Sequence, residues 1–286
     1  MFKKTSTSIL EDSVVFSGDY NKPLCATFKL KADGHNYIKD ILENDVGCGM
    51  SAFIFDKKAD CKEIADKAAD YLKGRNVLGR GNHFIDICSG LCSEEDSYPP
   101  HYVVVIHSDG KQVHKTQPKT IDEAIQRVKD ASEFRANLAS DIAGLVKVNY
   151  ERIGDWPHNS VEYQNGSVIY RKKTIKTFEK KLHIFTGSLG TTVMFYTFGT
   201  GKMPKLESMP HGSGRSEPLS QLKQHVTEDD VKGLRKMVYI PEMIKDSSLK
   251  SEHPKCYDLE FSVLNEVNEN YCIVNEVKIL AYVGKI

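Results

Sequence analysis

The chain has 286 residues, 40% hydrophobic and 27% charged, with 39 Lys plus Arg against 39 Asp plus Glu. That length and composition predict one globular domain over 1–286 with a substantial core, and the balanced charge gives no overall sign of nucleic acid or membrane as partner. No stretch approaches the roughly 20 apolar residues that span a bilayer. The start lacks a signal-peptide core, and seven cysteines without a framework spacing suit a reducing cytoplasm.

Taken along the chain, the first structured signal is the turn N-D-V-G-C-G-M, Asn44 to Met50. From Cys61 to Lys73, Ile64, Ala65, Ala68, Ala69 and Leu72 fall on one helical face, and Gly74 is the stop. V-V-V-I, Val103 to Ile106, reads as a buried strand. At Thr120, T-I-D-E forms a capping box with Glu123, opening a long helix that runs toward Tyr150 with a break. Val161 to Tyr170 is a hairpin around Asn165-Gly166. Arg171 to Lys181 is strongly basic and contains Phe178, a pattern open to two readings: a phosphate footprint or a solvated strand face. Thr192 to Phe198 and the closing V-K-I-L-A-Y-V-G-K-I are strands. Helices and strands are interspersed, so the expected class is α/β in the broad sense, a mixed α+β single domain.

Chemistry concentrates at turns and strand ends. Asp45 and Cys48 lie three apart with Gly47 and Gly49 around the thiol, a spacing that lets carboxylate and thiolate converge on one ion; a buried structural cysteine fits the same pattern. His83 opens an apolar segment, His107 follows V-V-V-I directly, and His158 precedes the hairpin. Singly each histidine reads as structural. Together, an Asp/Cys/His set fits borderline ions such as manganese, zinc, cobalt or iron rather than the all-oxygen shells of magnesium or calcium. In S-M-P-H-G-S-G-R-S, Ser208 to Ser216, His211 has a collar of Gly212 and Gly214 with Arg215 beyond. Glycines let backbone approach a ligand closely, exposed N–H groups cradle anions, and an imidazole nitrogen can attack phosphorus to form a covalent intermediate.

Taken in order, these stretches resemble the RtcB family of RNA-splicing ligases. D-V-G-C-G-M is similar to the family's D-I-G-C-G-M, G-R-G-N-H-F-I-D to G-G-G-N-H-F-x-E, and V-V-V-I-H to its strand-then-histidine. H-N-S-V-E-Y-Q-N-G-S-V-I-Y-R-K-K resembles the block from H-N to R-K-G, G-S-L-G-T resembles G-S-M-G-T, and H-G-S-G-R resembles H-G-A-G-R. E-H-P-K-C-Y and the terminal V-G-K parallel segments with a nucleotide-stacking tyrosine and a guanine-contacting lysine.

The resemblance implies the family's fold with a deep metal- and nucleotide-binding cleft. Asp45, Cys48, His83, His107 and His158 would hold two Mn²⁺ ions with Cys48 shared. His211 would take GMP from GTP, with Asn82 near the phosphates, Gly212 and Gly214 admitting them, and Ser188, Tyr257 and Lys285 lining the guanosine pocket. The activity implied joins RNA 3′-phosphate or 2′,3′-cyclic phosphate ends to 5′-hydroxyl ends. Alternatives are guanylyl transfer to another phosphate end without sealing, a non-catalytic RNA-end or nucleotide-binding module, and a metallophosphoesterase. Oligomeric state is left open, a monomer included.

The chain also departs from the family. It is shorter, and the upstream M-P-D-x-H segment is missing. After His107 it reads S-D-G-K in place of G-S-R-G, Gln221 follows Ser220 where the family has arginine, and Asp86 stands for a glutamate.

Overall fold

The computed structural model describes residues 10–16, 25–32, 37–43, 45–75, 77–79, 82–91, 101–215, 217–257 and 270–284. In chain order the strands are β1 (Leu10–Val15), β2 (Ala26–Lys31), β3 (Gly49–Asp56), β4 (Phe84–Cys88), β5 (His101–Ser108), β6 (Tyr150–Pro157), β7 (Asn159–Gln164), β8 (Ser167–Lys172), β9 (Thr174–Lys176), β10 (His183–Thr186), β11 (Thr192–Phe198), β12 (Ser208–Pro210) and β13 (Tyr271–Val283). The α-helices are α1 (Lys39–Leu42), α2 (Cys61–Leu72), α3 (Ile121–Val146), α4 (Leu219–Leu222), α5 (Glu228–Met237) and α6 (Asp246–Leu249).

Three sheets form: β1-β2-β8-β7, β10-β11-β13-β4-β5-β3-β6, and the pair β12-β9. Every ladder in them is antiparallel. The class is therefore mixed α+β without the parallel sheet of βαβ folds. β13 enters the middle of the seven-stranded sheet, between β11 and β4. Its second half buries Val277, Ala281, Tyr282 and Val283, so the terminal apolar run lies in the core.

α2 buries the expected face of Ile64, Ala65, Ala68, Ala69 and Leu72 against the large sheet, and Gly74 beyond it takes φ 71°. α3 is one unbroken helix of 26 residues, roughly 39 Å long at 1.5 Å per residue. The expected break is absent, and the helix stops at a left-handed Lys147. Its first turns pack on the core of the four-stranded sheet through Ile121 and Ala124, and its last turns on the large core through Leu138, Ile142 and Val146. The cap differs from a full capping box. Thr120 Oγ1 accepts from Glu123 N, but the Glu123 carboxylate accepts from Lys119 N, one residue further out. The Asn165-Gly166 turn has φ of 49° and 76°, as a type I′ hairpin requires.

In the first half of the basic run, three of the cations are held by acidic partners within the chain. Arg171 is buried and paired with Glu162, Lys176 also pairs with Glu162, and Lys172 pairs with Glu43. Among the described residues no helix is long and apolar enough to cross a membrane.

Candidate metal centre

Antiparallel register explains how ligands distant in sequence meet. Phe84 on β4 lies opposite His107 on β5, His107 opposite Met50 on β3, and Met50 opposite Trp156 on β6. One row thus crosses four adjacent strands. His107 is on it, His83 is one residue before it, Cys48 two before it and His158 two after it. Backbone bonds fasten the outer two ligands together: His158 N and Asn159 N both donate to Cys48 O, at 2.9 and 3.1 Å, and Gly47 N donates to Asn159 O at 2.8 Å.

The result is two ligand triads sharing one thiol. Cys48, His107 and His158 have donor atoms within 4.8 Å of one another, as do Asp45, Cys48 and His83. Cys48 Sγ stands 3.5 Å from Nε2 of His83 and 3.5 Å from Nε2 of His107. All four Cys and His ligands are buried. His107 Nδ1 lies 3.0 Å from the Asn82 carbonyl. A carbonyl only accepts, so Nδ1 carries the proton and Nε2 keeps its lone pair toward the thiol, the arrangement that orients metal-ligating histidines. Asp45 accepts from Asn159 at one oxygen, while Oδ1 is buried with no hydrogen-bond partner; His158 Nδ1 is also buried and unpaired. Leaving such groups unsatisfied costs about 1–3 kcal/mol each, and a bound cation removes that cost.

Electrostatics point the same way. Burial, then the neighbouring Asp109, raises the Asp45 carboxyl to about 6. Burial, then Asp45, pushes the Cys48 thiol well up. Burial above all holds His107 and His158 well below the usual imidazole range, keeping both neutral. Neutral imidazoles are ready ligands, and a cation among these groups would stabilise the thiolate and carboxylate that burial opposes. With sulfur, nitrogen and oxygen donors, the set suits a borderline divalent ion.

His211 joins this cluster. Its ring stacks on His158 at 4.0 Å and lies 6.4 Å from His107. Nδ1 is 2.8 Å from the Lys173 carbonyl, so Nδ1 is the protonated nitrogen and Nε2 carries the lone pair. Gly212 packs closely on neighbouring backbone. A Cβ on Gly212 would lie 2.7 Å from the Thr186 carbonyl oxygen, so this glycine permits backbone packing at the Thr186–Gly212 bridge. Neither Gly212 nor Gly214 has positive φ. Arg215 reaches the segment that carries Tyr257. It donates to Cys256 O and Ser251 O and to Tyr257 Oη at 2.7 Å, and its guanidinium lies 4.3 Å from the Tyr257 ring centre.

Asn82, Ser188, Gly212 and Tyr257 line one cavity together with His107. Gly214 lies one residue beyond Ser213, the last of its loop in the wall. Lys285 falls outside the described residues. Ser188 Oγ is buried without a hydrogen-bond partner. The cavity encloses about 30 Å³, room for little more than water, so a purine enters only if the walls part. Two acids face it that the motif reading left without a role. Asp86 has an unpaired buried oxygen, and burial, then Glu252, raises its carboxyl well above the usual range. Glu252 accepts a 2.6 Å bond from Tyr257 Oη.

Two further residues escaped the sequence reading. Asp109, on the loop after His107, is 5% exposed and lies against Gly79, where a Cβ would meet its carboxylate at 2.0 Å. Arg135 is a fully buried charge on α3. The available signal for Arg135 was an arginine four residues after Ala131, on the same helical stripe as the buried Arg127 and otherwise apolar residues. No protein-family model matches the chain, and no curated protein matches it.

Proposed function

We propose that the chain is a divalent-metal- and GTP-dependent RNA ligase that joins 3′-phosphate or 2′,3′-cyclic phosphate ends to 5′-hydroxyl ends, with the fold and two Mn²⁺ ions that its resemblance to RtcB ligases implies. The observation that carries this reading is the pair of triads sharing Cys48 with His211 stacked on one of their histidines. A binding module has no physical need for that combination. Asp45, Cys48, His83, His107 and His158 would hold the metal, which supplies Lewis-acid stabilisation of phosphate oxygens.

The protein's own part is to present His211 Nε2. The Lys173 carbonyl keeps the proton on Nδ1 and fixes the ring, so Nε2 carries the lone pair that would bond the α-phosphorus of GTP as pyrophosphate departs. Asn82, Ser188, Gly212 and Tyr257 form the walls that would receive the nucleotide, with Lys285 as the remaining member of that set. The guanylate would then pass to the RNA 3′ end, and the 5′-hydroxyl would displace GMP.

The test is intact-protein mass after incubation with GTP and Mn²⁺. One added GMP is expected, and His211→Ala should abolish it; no adduct with any divalent ion tested overturns the reading. A second reading, guanylyl transfer without sealing, draws support from Asp109. It places a buried carboxylate beside Asp45, in the short segment where the family carries an arginine at the position of Gly110. An adduct that forms while broken RNA stays unjoined favours that reading. Tight GTP binding without an adduct favours the non-catalytic module.

A further inference from the structure

The buried guanidinium of Arg135 lies behind the turn that carries Cys48. Its side chain is 0% exposed. NH1 donates to the Gly47 carbonyl at 3.0 Å, Nε donates to Ser51 Oγ and Asp155 Oδ1 at 3.0 Å each, and NH2 donates to Asp155 Oδ1 at 2.9 Å. These acceptors sit on three pieces of chain: the Cys48 turn, β3, and β6 three residues before His158. Arg152 also pairs with Asp155, at 3.0 Å. Burial works against the Asp155 carboxylate, and Arg135, Ser51 and Arg152 together more than reverse it, holding this acid below its ordinary range.

The same contact explains the glycines around the thiol. A Cβ on Gly49 would lie 2.9 Å from Arg135 NH2 and 2.7 Å from Pro157 Cα. A Cβ on Gly47, at φ +93°, would lie 2.8 Å from Ala131 Cβ, one helical turn before Arg135. Gly-Cys-Gly is thus the shape of a turn pressed against α3 with a guanidinium threaded behind it. Burying a lone cation costs several kcal/mol, and a methionine would fill the same volume without that cost. A methionine could not hold the Gly47 carbonyl and the β6 carboxylate at once. A planar fork can, through charge-assisted bonds of fixed geometry.

We infer that Arg135 is a positioning residue of the metal centre, locking the Cys48 turn to the strand end that presents His158, so that thiolate and imidazoles face one ion. This rests on the metal reading of the site.

The test titrates the chelated full chain with Co²⁺, reading the thiolate-to-cobalt charge-transfer band and the dissociation constant, with thermal stability of the metal-free protein in parallel. Arg135→Met should weaken Co²⁺ binding by about 10–100-fold, the range for outer-shell partners of metal ligands, and should dim or move the band. Arg135→Lys should recover part of the loss, because an ammonium can reach the Gly47 carbonyl but cannot fork to Asp155. Ser51→Ala, which removes one acceptor of Arg135 together with the Ser51 contacts to Asp155 and Arg152, should weaken binding by several-fold in a fully folded protein. A purely structural role would lower thermal stability alone. Folded Arg135 variants with wild-type affinity and band overturn the inference. If they do not fold, an unchanged band and affinity in Ser51→Ala overturns it. Wild-type protein without a Co²⁺ thiolate band refutes the metal centre itself, a failure distinct from that of Arg135 alone.

Discussion

Replacing Gly49 by alanine tests whether packing dictates the glycines beside Cys48. Gly49 does not have positive φ, so alanine meets no backbone penalty there, and a stiffer unfolded chain favours it by about 0.4–1 kcal/mol. The new Cβ would approach Pro157 Cα to 2.7 Å and Arg135 NH2 to 2.9 Å. Ordinary contact begins at 3.4 Å, so a backbone segment and a hydrogen-bonded guanidinium must each move by half an ångström or more. Overpacking of this kind costs about 1–3 kcal/mol, so with the unfolded-state gain subtracted the net loss centres on about 1.3 kcal/mol and reaches about 2.6. Gly144, in the last turns of α3, is the control. A Cβ there meets nothing within 4 Å, and alanine should stabilise the helix by about 0.5–1 kcal/mol. Urea unfolding of the chelated protein, followed by circular dichroism, measures both. Gly49→Ala as stable as wild type, with Co²⁺ binding unchanged, refutes the reasoning.

Two further outcomes follow from buried charge. Burial, then Glu252, raises the Asp86 carboxyl and so favours its protonated form in the fold. Its contribution to stability is therefore complete below the ordinary carboxyl range and is lost as pH rises. Asp86→Asn should gain stability relative to wild type with increasing pH, by at most about 1.4 kcal/mol per unit between about pH 5 and pH 8. A difference that does not change with pH contradicts this. Arg171→Met removes a buried guanidinium that serves Glu162, Ser208 Oγ and Leu206 O. Lys176 still holds Glu162 at 2.7 Å, so the loss should be about 2–3 kcal/mol, below the ~3–5 of a fully orphaned ion. Arg171→Met combined with Lys176→Met should lose more than the two single losses added together, measured by urea midpoint.

Local patterns were legible where local physics governs. The apolar face of α2, the Asn165-Gly166 hairpin and the β11 strand follow from periodicity and turn chemistry, and they lie where those signals put them. Individual ligand candidates were legible too, since Asp45, Cys48 and three histidines stand at turns and strand ends. What periodicity could not supply was the end of α3. Its apolar stripe continues through the place where a break was expected, and the stop is the left-handed Lys147, a backbone choice with no glycine to announce it.

By itself the sequence determined which residue types are present and how each segment folds locally. It also supplied the ordered motifs that suggest a nucleotidyl-transfer chemistry. Only the tertiary structure decided that Cys48, His83, His107 and His158 lie beside one row of the sheet. Strand order and register are long-range properties, set by which apolar faces pair, and no spacing along the chain encodes them. It also placed two close neighbours that the sequence does not show. Gly212 accommodates Thr186, and Arg215 holds Tyr257. The role of a glycine or a charged side chain is fixed by what stands opposite it, and those neighbours come from distant parts of the chain. Arg135 is the clearest case. As a residue in a helix it is, with Arg127, a charge in a mostly apolar stripe; against Gly47, Ser51 and Asp155 it is the peg on which the Cys48 turn hangs.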